Sequence, residues 1–490
     1  MQRLPAQDRE LFELVSRAAF VNPFGDERDA LDIRIAQTEG DDPDLLNRLV
    51  RRIEGRLSAL EEKGDLTPDA FPHDDWRLLE HAILFEAFHR FAERLDALIE
   101  EQLAAGEEPV EIDIAAAVLS RLTSRGLDRA HACRMLAFIW QLRRAYYFIA
   151  SGLTGISPSM RRLREAIWND VFTHDLERYE RTLHDRLEDF SVILRGETGT
   201  GKGAAAAAIG RSGFVPFDED RGRFASSFTE LFVPINLSQF PESLIESELF
   251  GHKKGAFTGA VDTHAGVFSR CSENGAIFLD EIGEVSVPVQ IKLLRVLQER
   301  VFSPVGGHEE RRFEGRVIAA THRDLDEARA ERRFRDDFYY RLCSDEIEVP
   351  PLRVRLAEEP RELDVLLNAL VERIVGGPDA EVVEMVRGAI GRDLPDGYAW
   401  PGNVRELEQV VRRVLLTGRC APAAAPRRGD DFLDAVQGGQ LTAKALTERY
   451  CALLHGRLGT YEEVARVTGL DRRTVRKYVV AAGEAGSGDD

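Results

Sequence analysis

The chain has 490 residues, which is long enough for about three domains of roughly 150 residues each. Hydrophobic residues make up 43% and charged residues 31%, a composition typical of a soluble globular protein, and no apolar run approaches the ~18 residues of a membrane-spanning helix. The formal net charge of −20 argues against a protein that coats nucleic acid along its whole surface, although one small basic module is compatible with it.

The first residues and the cysteines predict a cytoplasmic location. The N-terminal sequence MQRLPAQDRELFELV lacks the basic-then-apolar order of a signal peptide. The five cysteines stand far apart without a CxxC pair, which excludes a disulfide scaffold and a cysteine-based zinc site and suits a reducing cytosol. These cysteines are Cys133, Cys271, Cys343, Cys420 and Cys451.

Residues 1–155 are predicted to form an all-α regulatory domain of unknown type, which would control assembly or ATPase activity. Apolar residues recur at steps of three and four in the stretches 76–103 and 128–150, which indicates amphipathic helices. The histidines of this region lack metal-ligand spacing, so the sequence offers no small-molecule or metal site there. They are His73, His81, His89 and His131.

The rest of the chain divides at two predicted linkers. The glycine-, serine- and proline-rich segment Ser151–Ser159 precedes an α/β pattern of short apolar strands and helices over 157–416. A segment rich in alanine, proline and arginine makes 417–440 a second linker. A short helical module over 441–482 follows, and the tail 483–490 is expected to be disordered.

A phosphate-binding loop is predicted where VILRGETGTGKG occupies 192–203. An apolar strand leads into the glycine-rich loop and then into an alanine-rich helix, so that backbone N–H groups and the helix N-terminus face phosphate oxygens. Lys202 would reach the β- and γ-phosphates, whereas Gly203 stands where Ser or Thr would supply a hydroxyl to Mg²⁺. The ATP-binding residues predicted here are Gly196, Glu197, Thr198, Gly199, Thr200, Gly201, Lys202 and Gly203.

A second apolar strand, Ala276–Leu279, runs directly into two carboxylates. In a parallel sheet such a strand delivers acidic side chains to a site at its carboxyl end. Asp280 would hold Mg²⁺ through water, and Glu281 would polarise the attacking water. The alternative interpretation is an ordinary strand end with two solvated acids.

The segment Glu246–Ala260 reads ESELFGHKKGAFTGA. With the phosphate loop and the acidic strand, it resembles the bacterial enhancer-binding proteins, which are AAA+ ATPases that activate sigma-54 RNA polymerase. In that family the GAFTGA loop touches sigma-54 and moves with the nucleotide state. The resemblance implies that the sigma-54 contact is formed by Gly255, Ala256, Phe257, Thr258, Gly259 and Ala260.

The residue types of this loop fit such a contact. Gly255 and Gly259 permit a tight, mobile tip that projects Phe257 and Thr258 outward. The alternative interpretation is a buried phenylalanine in a routine turn.

The resemblance spans residues 157–416 and implies two nucleotide sensors. VIAATHRDL resembles the strand of the first sensor and places Thr321 and His322 there, with His322 in the position of the family's usual asparagine. WPGNVREL resembles the second sensor, with Arg405 facing the nucleotide from a helical lid of about 352–416.

The same resemblance implies catalytic residues outside the phosphate loop. RFRDDFYYRL is similar to the arginine-finger segment and maps the fingers onto Arg335 and Arg341, which would act on the γ-phosphate of a neighbouring subunit. Surface salt bridges are the alternative role for these arginines. Asn236 in FVPIN matches the residue that restrains the catalytic glutamate. The segments 171–190 and 211–231 are longer than usual and are expected to be surface or interface elaborations.

The C-terminal module over 441–482 carries eight Lys and Arg residues against four acidic residues. Thr460 and Glu463 form a capping box, Gly469 ends the first helix, and Asp471 can cap the second, which predicts a helix-turn-helix. It resembles the Fis-type DNA-binding domain of the family; a basic solvated helix is the alternative. The residues predicted to face DNA are Arg472, Arg473, Thr474, Arg476 and Lys477.

Together these features predict an AAA+ P-loop core with a helical lid, an all-α domain before it and a small DNA-binding domain after it. The function implied by the resemblance is a sigma-54-dependent activator that binds upstream DNA. It would use ATP and Mg²⁺ in an oligomeric ring, a hexamer by family resemblance and a dimer when inactive, to remodel the closed promoter complex of the sigma-54 polymerase. The alternatives are a DNA-binding regulator with a non-productive ATPase and an AAA+ remodeller of another target.

Overall fold

The computed structural model describes residues 1–38, 42–64, 66–184, 186–420 and 441–485. Residues 1–420 belong to one compact unit and residues 421–490 to another. The predicted linker beyond residue 420 and residues 486–490 of the predicted tail lie outside the described residues. None of the helices in the described part of the chain has both the length and the apolarity of a transmembrane segment.

The first part of the chain is entirely helical, as predicted. Phe91, whose backbone lies outside the helical region at φ −98° and ψ 6°, divides the predicted helical stretch 76–103 into two helices. The helices are α1 (Ala6–Phe20), α2 (Asp26–Ala36), α3 (Leu45–Glu61), α4 (His73–Arg90), α5 (Ala92–Ala105), α6 (Ala115–Ser124) and α7 (Arg129–Gly152).

The α/β part is built on a parallel sheet with five strands in the order β4-β5-β8-β1-β9. These strands are β1 (Val192–Arg195), β4 (Phe232–Asn236), β5 (Ala276–Asp280), β8 (Arg316–Thr321) and β9 (Asp345–Glu348). Their pairing places Asn236 opposite Asp280 and Arg195 opposite Thr321, so the strands end together at one edge. Loops that follow parallel strands at their carboxyl ends form the usual ligand site of such a sheet.

Helices cover both faces of the sheet, and two small hairpins lie beside it. The helices are α8 (Pro158–Phe172), α9 (Leu176–Thr182), α10 (Lys202–Gly210), α11 (Glu242–Phe250), α12 (Val267–Arg270), α13 (Val287–Glu299), α14 (Leu325–Ala330) and α15 (Asp336–Leu342). The hairpins pair β2 (Phe217–Asp218) with β3 (Arg223–Phe224) and β6 (Val301–Phe302) with β7 (Arg311–Arg312).

Four helices form the lid that the sequence predicts after the sheet. They are α16 (Leu352–Glu358), α17 (Glu362–Val375), α18 (Ala380–Asp393) and α19 (Asn403–Thr417). Their apolar faces enclose a core of their own around Leu367, Val386 and Leu407, none of which has exposed surface. The α/β core with a helical lid is therefore confirmed.

The N-terminal helices share a hydrophobic core with the α/β part. The buried guanidinium of Arg144 on α7 donates to the carbonyl oxygens of Arg211 and Gly213, each at 2.6 Å, just beyond the end of α10. Gln141 donates to the carbonyl oxygen of Ser212 at 2.9 Å. Helix α7 thus supplies hydrogen-bond donors to the backbone carbonyl groups of the turn that follows α10.

The long segment 211–231 also contacts the N-terminal helices. Phe224 of β3 stacks on Trp140 of α7 with ring centroids 5.1 Å apart. The N–H group of Ile112 donates to the carbonyl oxygen of Gly222 at 3.0 Å. This elaboration is consequently a surface that joins the two parts of the unit.

The predicted linker Ser151–Ser159 is packed against the lid. Helix α7 extends to Gly152, and the side chains of Ser157 and Ser159 are buried. The carboxylate of Glu362, which has no exposed surface, accepts from the backbone N–H groups of Ile156 and Ser157. The buried guanidinium of Arg355 pairs with the same carboxylate at 2.6 Å.

The C-terminal unit contains α20 (Ala443–Leu458), α21 (Tyr461–Thr468) and α22 (Arg472–Ala485). Thr460 and Asp471 cap α21 and α22 through their side chains, and Gly469 ends α21 with φ 70°. Val464 and Val475 are buried between these helices, whereas Val467, one turn after Val464, is 53% exposed.

Candidate functional site

The phosphate loop connects β1 to α10 at the carboxyl edge of the sheet. Three of its glycines, Gly196, Gly199 and Gly201, have positive φ. The ammonium group of Lys202 donates to the carbonyl oxygens of Gly196 at 2.7 Å and Glu197 at 3.0 Å. Burial lowers the pKa of Lys202, while the nearby carboxylates of the acidic strand act in the opposite direction. An anion at this position would relieve the desolvation of the ammonium group.

The lid lies directly over this loop. A Cβ atom on Gly199 would stand 2.3 Å from the carbonyl oxygen of Gly402, so only glycine fits there. The N–H group of Val404 donates to the carbonyl oxygen of Gly199 at 3.1 Å. The lid and the phosphate loop are thereby joined through backbone atoms.

Asn403 is a residue of this junction that the sequence pattern did not identify. It is fully buried with φ 51°, a left-handed conformation that asparagine tolerates better than most residues. Its amide donates to the carboxylate of Glu197 and to the carbonyl oxygen of Thr198, both at 3.1 Å, and its oxygen accepts from the N–H group of Leu352 at 2.8 Å. The only signal in the sequence is its position beside Arg405 in WPGNVREL.

The acidic pair lies beside the loop, with β4 next to it. The amide of Asn236 donates to the carboxylate of Asp280 at 3.2 Å. Burial raises the pKa of Asp280, and the charge of Glu281 adds to that effect against the opposing ammonium group of Lys202. Asn236 thus contacts the carboxylate assigned to the metal rather than the one assigned to the water.

Glu281 is held by the residue that replaces the family's usual asparagine. Its carboxylate is 2.7 Å from Nδ1 of His322, at the end of β8. The backbone of Glu281 has φ 59°, which is unusual outside glycine. Such strained positions recur at active sites, where the surrounding structure fixes them.

These elements enclose a cavity of 740 Å³ between the sheet edge and the lid. Thr198 to Ala204 of the phosphate loop line it. The predicted side chains that join them are Asn236, Asp280, Glu281 and Arg405. Arg373, which pairs with Glu408 at 2.9 Å, also lines the cavity and had no motif to reveal it. Glu197 instead pairs with Arg353 at 2.7 Å.

The donor set of the cavity fits a nucleotide with Mg²⁺ better than a metal held by protein alone. No cluster of three acidic, histidine or cysteine side chains able to hold a metal was found among the described residues. Gly203 offers no hydroxyl, and the hydroxyl of Thr200 already donates to the carbonyl oxygen of Glu197 at 2.9 Å. Asp280 is therefore the best placed carboxylate, with phosphate oxygens and water completing the shell.

The two predicted arginine fingers lie away from this cavity. Arg335 precedes α15 and pairs with Asp337 at 2.6 Å. Arg341 donates to the carbonyl oxygen of Leu297 at 2.9 Å and pairs with Asp189 at 3.2 Å. Neither guanidinium lines the cavity of its own chain.

The GAFTGA segment forms a loop between α11 and α12. The N–H group of Gly255 donates to the carbonyl oxygen of Ala260 at 2.8 Å, which closes the loop on itself. Gly255 and Gly259 have φ values of 83° and 104°, conformations that favour glycine. Thr258 is exposed at the tip, as expected.

Phe257 differs from the expectation that it projects fully outward. Its ring is half-buried and lies 4.9 Å from the ring of His252 in an edge-on arrangement. An aromatic contact of this kind reduces the apolar surface exposed to water. Ala256 is supported from the other side by Gly306, where a Cβ atom would lie 2.7 Å from the methyl group.

The predicted DNA-facing residues lie on α22. The four basic side chains, Arg472, Arg473, Arg476 and Lys477, are exposed, and Arg472 pairs with Glu462 at 2.8 Å. Thr474 is half-buried, and its hydroxyl donates to the carboxylate of Asp471. The basic side chains thus form an exposed face on a capped helix.

Comparisons with known proteins identify the central domain. A family model described as "Sigma-54 interaction domain" matches residues 170–348. Transcriptional regulatory protein ZraR of Klebsiella oxytoca is 37% identical over 338 residues, which cover 66% of this chain and 67% of ZraR. NtrX from Brucella abortus, a solved structure, has a TM-score of 0.40 and 20% identity over 76% of this chain and 80% of that chain, too low a similarity to support an argument.

Two further relatives match over a shorter part of their length. Regulatory protein AtoC of Escherichia coli is 35% identical over 272 residues, covering 54% of this chain and 55% of AtoC. The Nif-specific regulatory protein of Azotobacter vinelandii is 39% identical over 275 residues, covering 55% of this chain and 45% of that protein. The chain thus spans about half the length of these two relatives. Because the chain covers two thirds of ZraR at this identity, it belongs to the bacterial enhancer-binding proteins, the regulators with a sigma-54 interaction domain.

Proposed function

We propose that this protein is a sigma-54-dependent transcription activator that hydrolyses ATP to remodel the closed promoter complex. The proposal rests on one observation above all. The phosphate loop with Lys202, the acids Asp280 and Glu281, and the lid residue Arg405 line one cavity, and the same unit carries a GAFTGA loop with Thr258 exposed at its tip.

The residues of the cavity divide the binding of ATP between them. Lys202 would exchange its carbonyl partners for the β- and γ-phosphates, and the loop N–H groups would surround the remaining phosphate oxygens. Asp280 would hold Mg²⁺ through water; the ion supplies charge neutralisation at the terminal phosphates. Arg405 would report the nucleotide state to the lid, and Gly199 would keep the lid in contact with the loop.

Hydrolysis requires a base on this chain and a cation from another. Glu281 would orient and deprotonate the attacking water once its carboxylate is free of His322. Asn236 would position the acidic pair through Asp280. Arg335 and Arg341 would neutralise the γ-phosphate of a neighbouring subunit, which makes a ring the active assembly. By family resemblance this ring is a hexamer formed from inactive dimers.

The GAFTGA loop and the basic face of α22 would contact the partners of the protein. Nucleotide-dependent movement of Gly255–Ala260 would act on sigma-54, with Thr258 at the contact. The basic face of α22 would bind upstream DNA, and a dimer would contact two half-sites. A cytoplasmic location fits this role and the five free thiols.

The first test measures ATP hydrolysis by the full chain, since the N-terminal helices share a core with the ATPase part. Glu281→Gln should retain nucleotide binding and reduce kcat by about 10²–10⁴-fold, the usual contribution of a positioned base. Absence of hydrolysis by the wild-type protein in every oligomeric state would favour a regulator with a non-productive ATPase.

The second test measures binding to sigma-54 in the presence of a nucleotide transition-state analogue. Thr258→Ala should abolish binding while ATP hydrolysis persists. Val261→Ala is the matched control, because Val261 is 71% exposed immediately beyond the motif. Wild-type binding by the Thr258 variant would favour an AAA+ remodeller of another target.

A further inference from the structure

A second cavity, of 400 Å³, lies within the N-terminal helices. Its walls come from α1, α2, α3, α4, α7 and α8, and this volume falls in the range typical of small-molecule sites. Aromatic side chains dominate the wall: Phe20, Phe85, Phe88, Phe138, Tyr146 and Trp168. The sequence had offered no small-molecule site in this region, because these residues are distant along the chain and follow no common motif.

Both arginines that line this cavity, Arg28 and Arg143, are already paired, whereas Asp29 of the lining is exposed. Arg28 donates to the carboxylate of Asp32 at 2.8 and 2.9 Å and lies over the ring of Phe85, 5.1 Å from its centroid. Arg143 donates from Nε to Asp96 at 2.6 Å and lies 5.3 Å from the ring centroid of Tyr146. An anionic ligand would have to compete with these carboxylates for the arginines and would also meet the charge of Asp29, so the aromatic wall favours an uncharged ligand.

His89 adds one polar group to this apolar wall. Its Nε2 is 3.1 Å from a guanidinium nitrogen of Arg28, and because arginine only donates, Nε2 is the acceptor. Burial, with Arg28 and Arg143 nearby, lowers the pKa of His89 well below its ordinary value and keeps the ring neutral. The proton of the neutral, half-buried ring therefore sits on Nδ1.

Two helices form walls of both cavities. Helix α7 contributes Tyr146 to the aromatic cavity and Ser151 to the nucleotide cavity. Helix α8 contributes Trp168 to the first and Leu163 to the second. In each helix the two positions are five residues apart, which corresponds to about 7.5 Å along the axis. A shift of either helix on ligand binding would therefore change the shape of both cavities.

We propose that the aromatic cavity binds an uncharged aromatic small molecule of one or two rings with a hydrogen-bond acceptor, and that its occupancy alters nucleotide affinity through α7 and α8. The aromatic rings would stack on the ligand, and Nδ1–H of His89 would donate to its acceptor. This site goes beyond the proposed function, and binding to it is measurable without ATP hydrolysis.

Coumarin is a suitable probe because it is planar, neutral and carries a carbonyl acceptor. Titration of the full chain by calorimetry should show saturable binding, and coumarin should raise the midpoint of thermal unfolding, since a ligand that binds only the folded state stabilises it. Coumarin-3-carboxylate should bind more weakly because the guanidinium groups are paired. Naphthalene, which lacks the acceptor, should bind about fivefold more weakly, the value of one hydrogen bond.

Variants locate the binding. Leu142→Trp should fill the cavity from α7 and abolish coumarin binding, and Leu84→Trp should do the same from α4 if the first variant fails to fold. Leu103→Trp, at an exposed position of α5 outside the cavity, is the matched control and should bind like wild type. No saturable binding of coumarin, or unchanged binding in both cavity-filling variants, would overturn the site. Tighter binding of the carboxylate would overturn the assigned ligand class.

The coupling between the aromatic cavity and the nucleotide cavity is measured separately from binding itself. Saturating coumarin should change the Kd for ADP by about fivefold or more, and ADP should change the Kd for coumarin by the same factor, because coupling free energies are reciprocal. An unchanged Kd for ADP would overturn the coupling and leave the site itself standing. If the chain did not bind ADP at all, the proposed function would fail, whereas the coumarin titration would still decide the aromatic site.

Discussion

The two cavities of the N-terminal unit are built on opposite principles. The nucleotide cavity is polar and is formed by short loops at one edge of a parallel sheet, where backbone N–H groups and charged side chains converge. The aromatic cavity is formed mainly by helix faces, and its two arginines are paired with the carboxylates of Asp32 and Asp96. The first is organised to bind charge, and the second is organised to bind an apolar surface.

This difference also determines how each cavity responds to its surroundings. The lid closes the nucleotide cavity through a few specific contacts, such as those of Gly199 and Asn403, so single substitutions there should have large effects. The aromatic cavity is lined by many side chains that each contribute little, so single changes of charge or titration there should have small effects.

The largest effect is expected at the junction between the segment before α8 and the lid. Glu362→Gln removes the negative charge that pairs with buried Arg355, while the side chain keeps its shape. Leaving one member of a buried ion pair uncompensated costs about 3–5 kcal/mol. The measurement is the urea midpoint of unfolding of the full chain, followed by circular dichroism or by the fluorescence of a nucleotide bound in the cavity.

Glu359→Gln supplies the control for this change, because Glu359 pairs with exposed Arg361 on the same side of the lid. Its urea midpoint should equal that of wild type. Equal midpoints for both variants would show that the lid is not held to this segment by the buried pair, and the contrast in sensitivity between the two cavities would lose its main support.

The nucleotide cavity was predictable from sequence because its chemistry demands particular residues at fixed spacing. A loop that surrounds phosphate needs glycines before a lysine, which is Lys202 here. A parallel strand that ends in two acids delivers them to the same edge of the sheet, as β5 does with Asp280 and Glu281. Contacts between side chains of distant segments were not predictable. Asn236 faces Asp280, His322 faces Glu281, and Asn403 joins the lid to the loop.

Two other features could not be predicted for the same reason. They are the aromatic cavity and the hydrophobic core that the N-terminal helices share with the ATPase part. Helical periodicity predicts which face of a helix is buried, but not which helix covers it. The apolar face of α7 is shared among the helical bundle, the segment 211–231 and α10, and only the tertiary structure shows how. The glycine and proline composition of Ser151–Ser159 likewise carried no sign that Glu362 binds its backbone.

A smaller effect, on the rate of hydrolysis rather than on stability, is expected at the first sensor, where His322 stands in place of the family's usual asparagine. His322→Asn restores the residue type usual in the family and removes the contact between Nδ1 and the carboxylate of Glu281. Because a hydrogen bond to a charged group is worth about 1.5 kcal/mol or more, kcat should rise about tenfold, with KM unchanged since His322 does not line the cavity. Steady-state ATPase assays at saturating nucleotide measure it.

His308→Asn is the control, because His308 is exposed, lies between β6 and β7 and does not line the nucleotide cavity. It should leave both constants at the wild-type values. A fall in kcat for the His322 variant would mean that the histidine holds Glu281 in its working position instead of restraining it.

The smallest effect is expected from titration in the aromatic cavity. Burial lowers the pKa of both His81 and His89 below the ordinary 6.5. The positive charges of Arg28 and Arg143 add to the effect at His89, whereas Glu177 and Glu80 oppose it at His81. As the pH falls below 6.5, the unfolded chain binds protons that the folded chain does not, so stability is full above that pH and decreases below it.

His89→Gln removes one of these titrations and keeps an acceptor for Arg28. The loss of urea midpoint between about pH 7.5 and pH 5.5 should therefore be smaller in this variant than in wild type. His73→Gln, at an exposed position on α4, should retain the wild-type loss. An equal loss in all three proteins would mean that His89 takes up its proton in the folded state. A charged imidazolium in the wall would then make the cavity a site for anions, and the difference in electrostatic character between the two cavities would disappear.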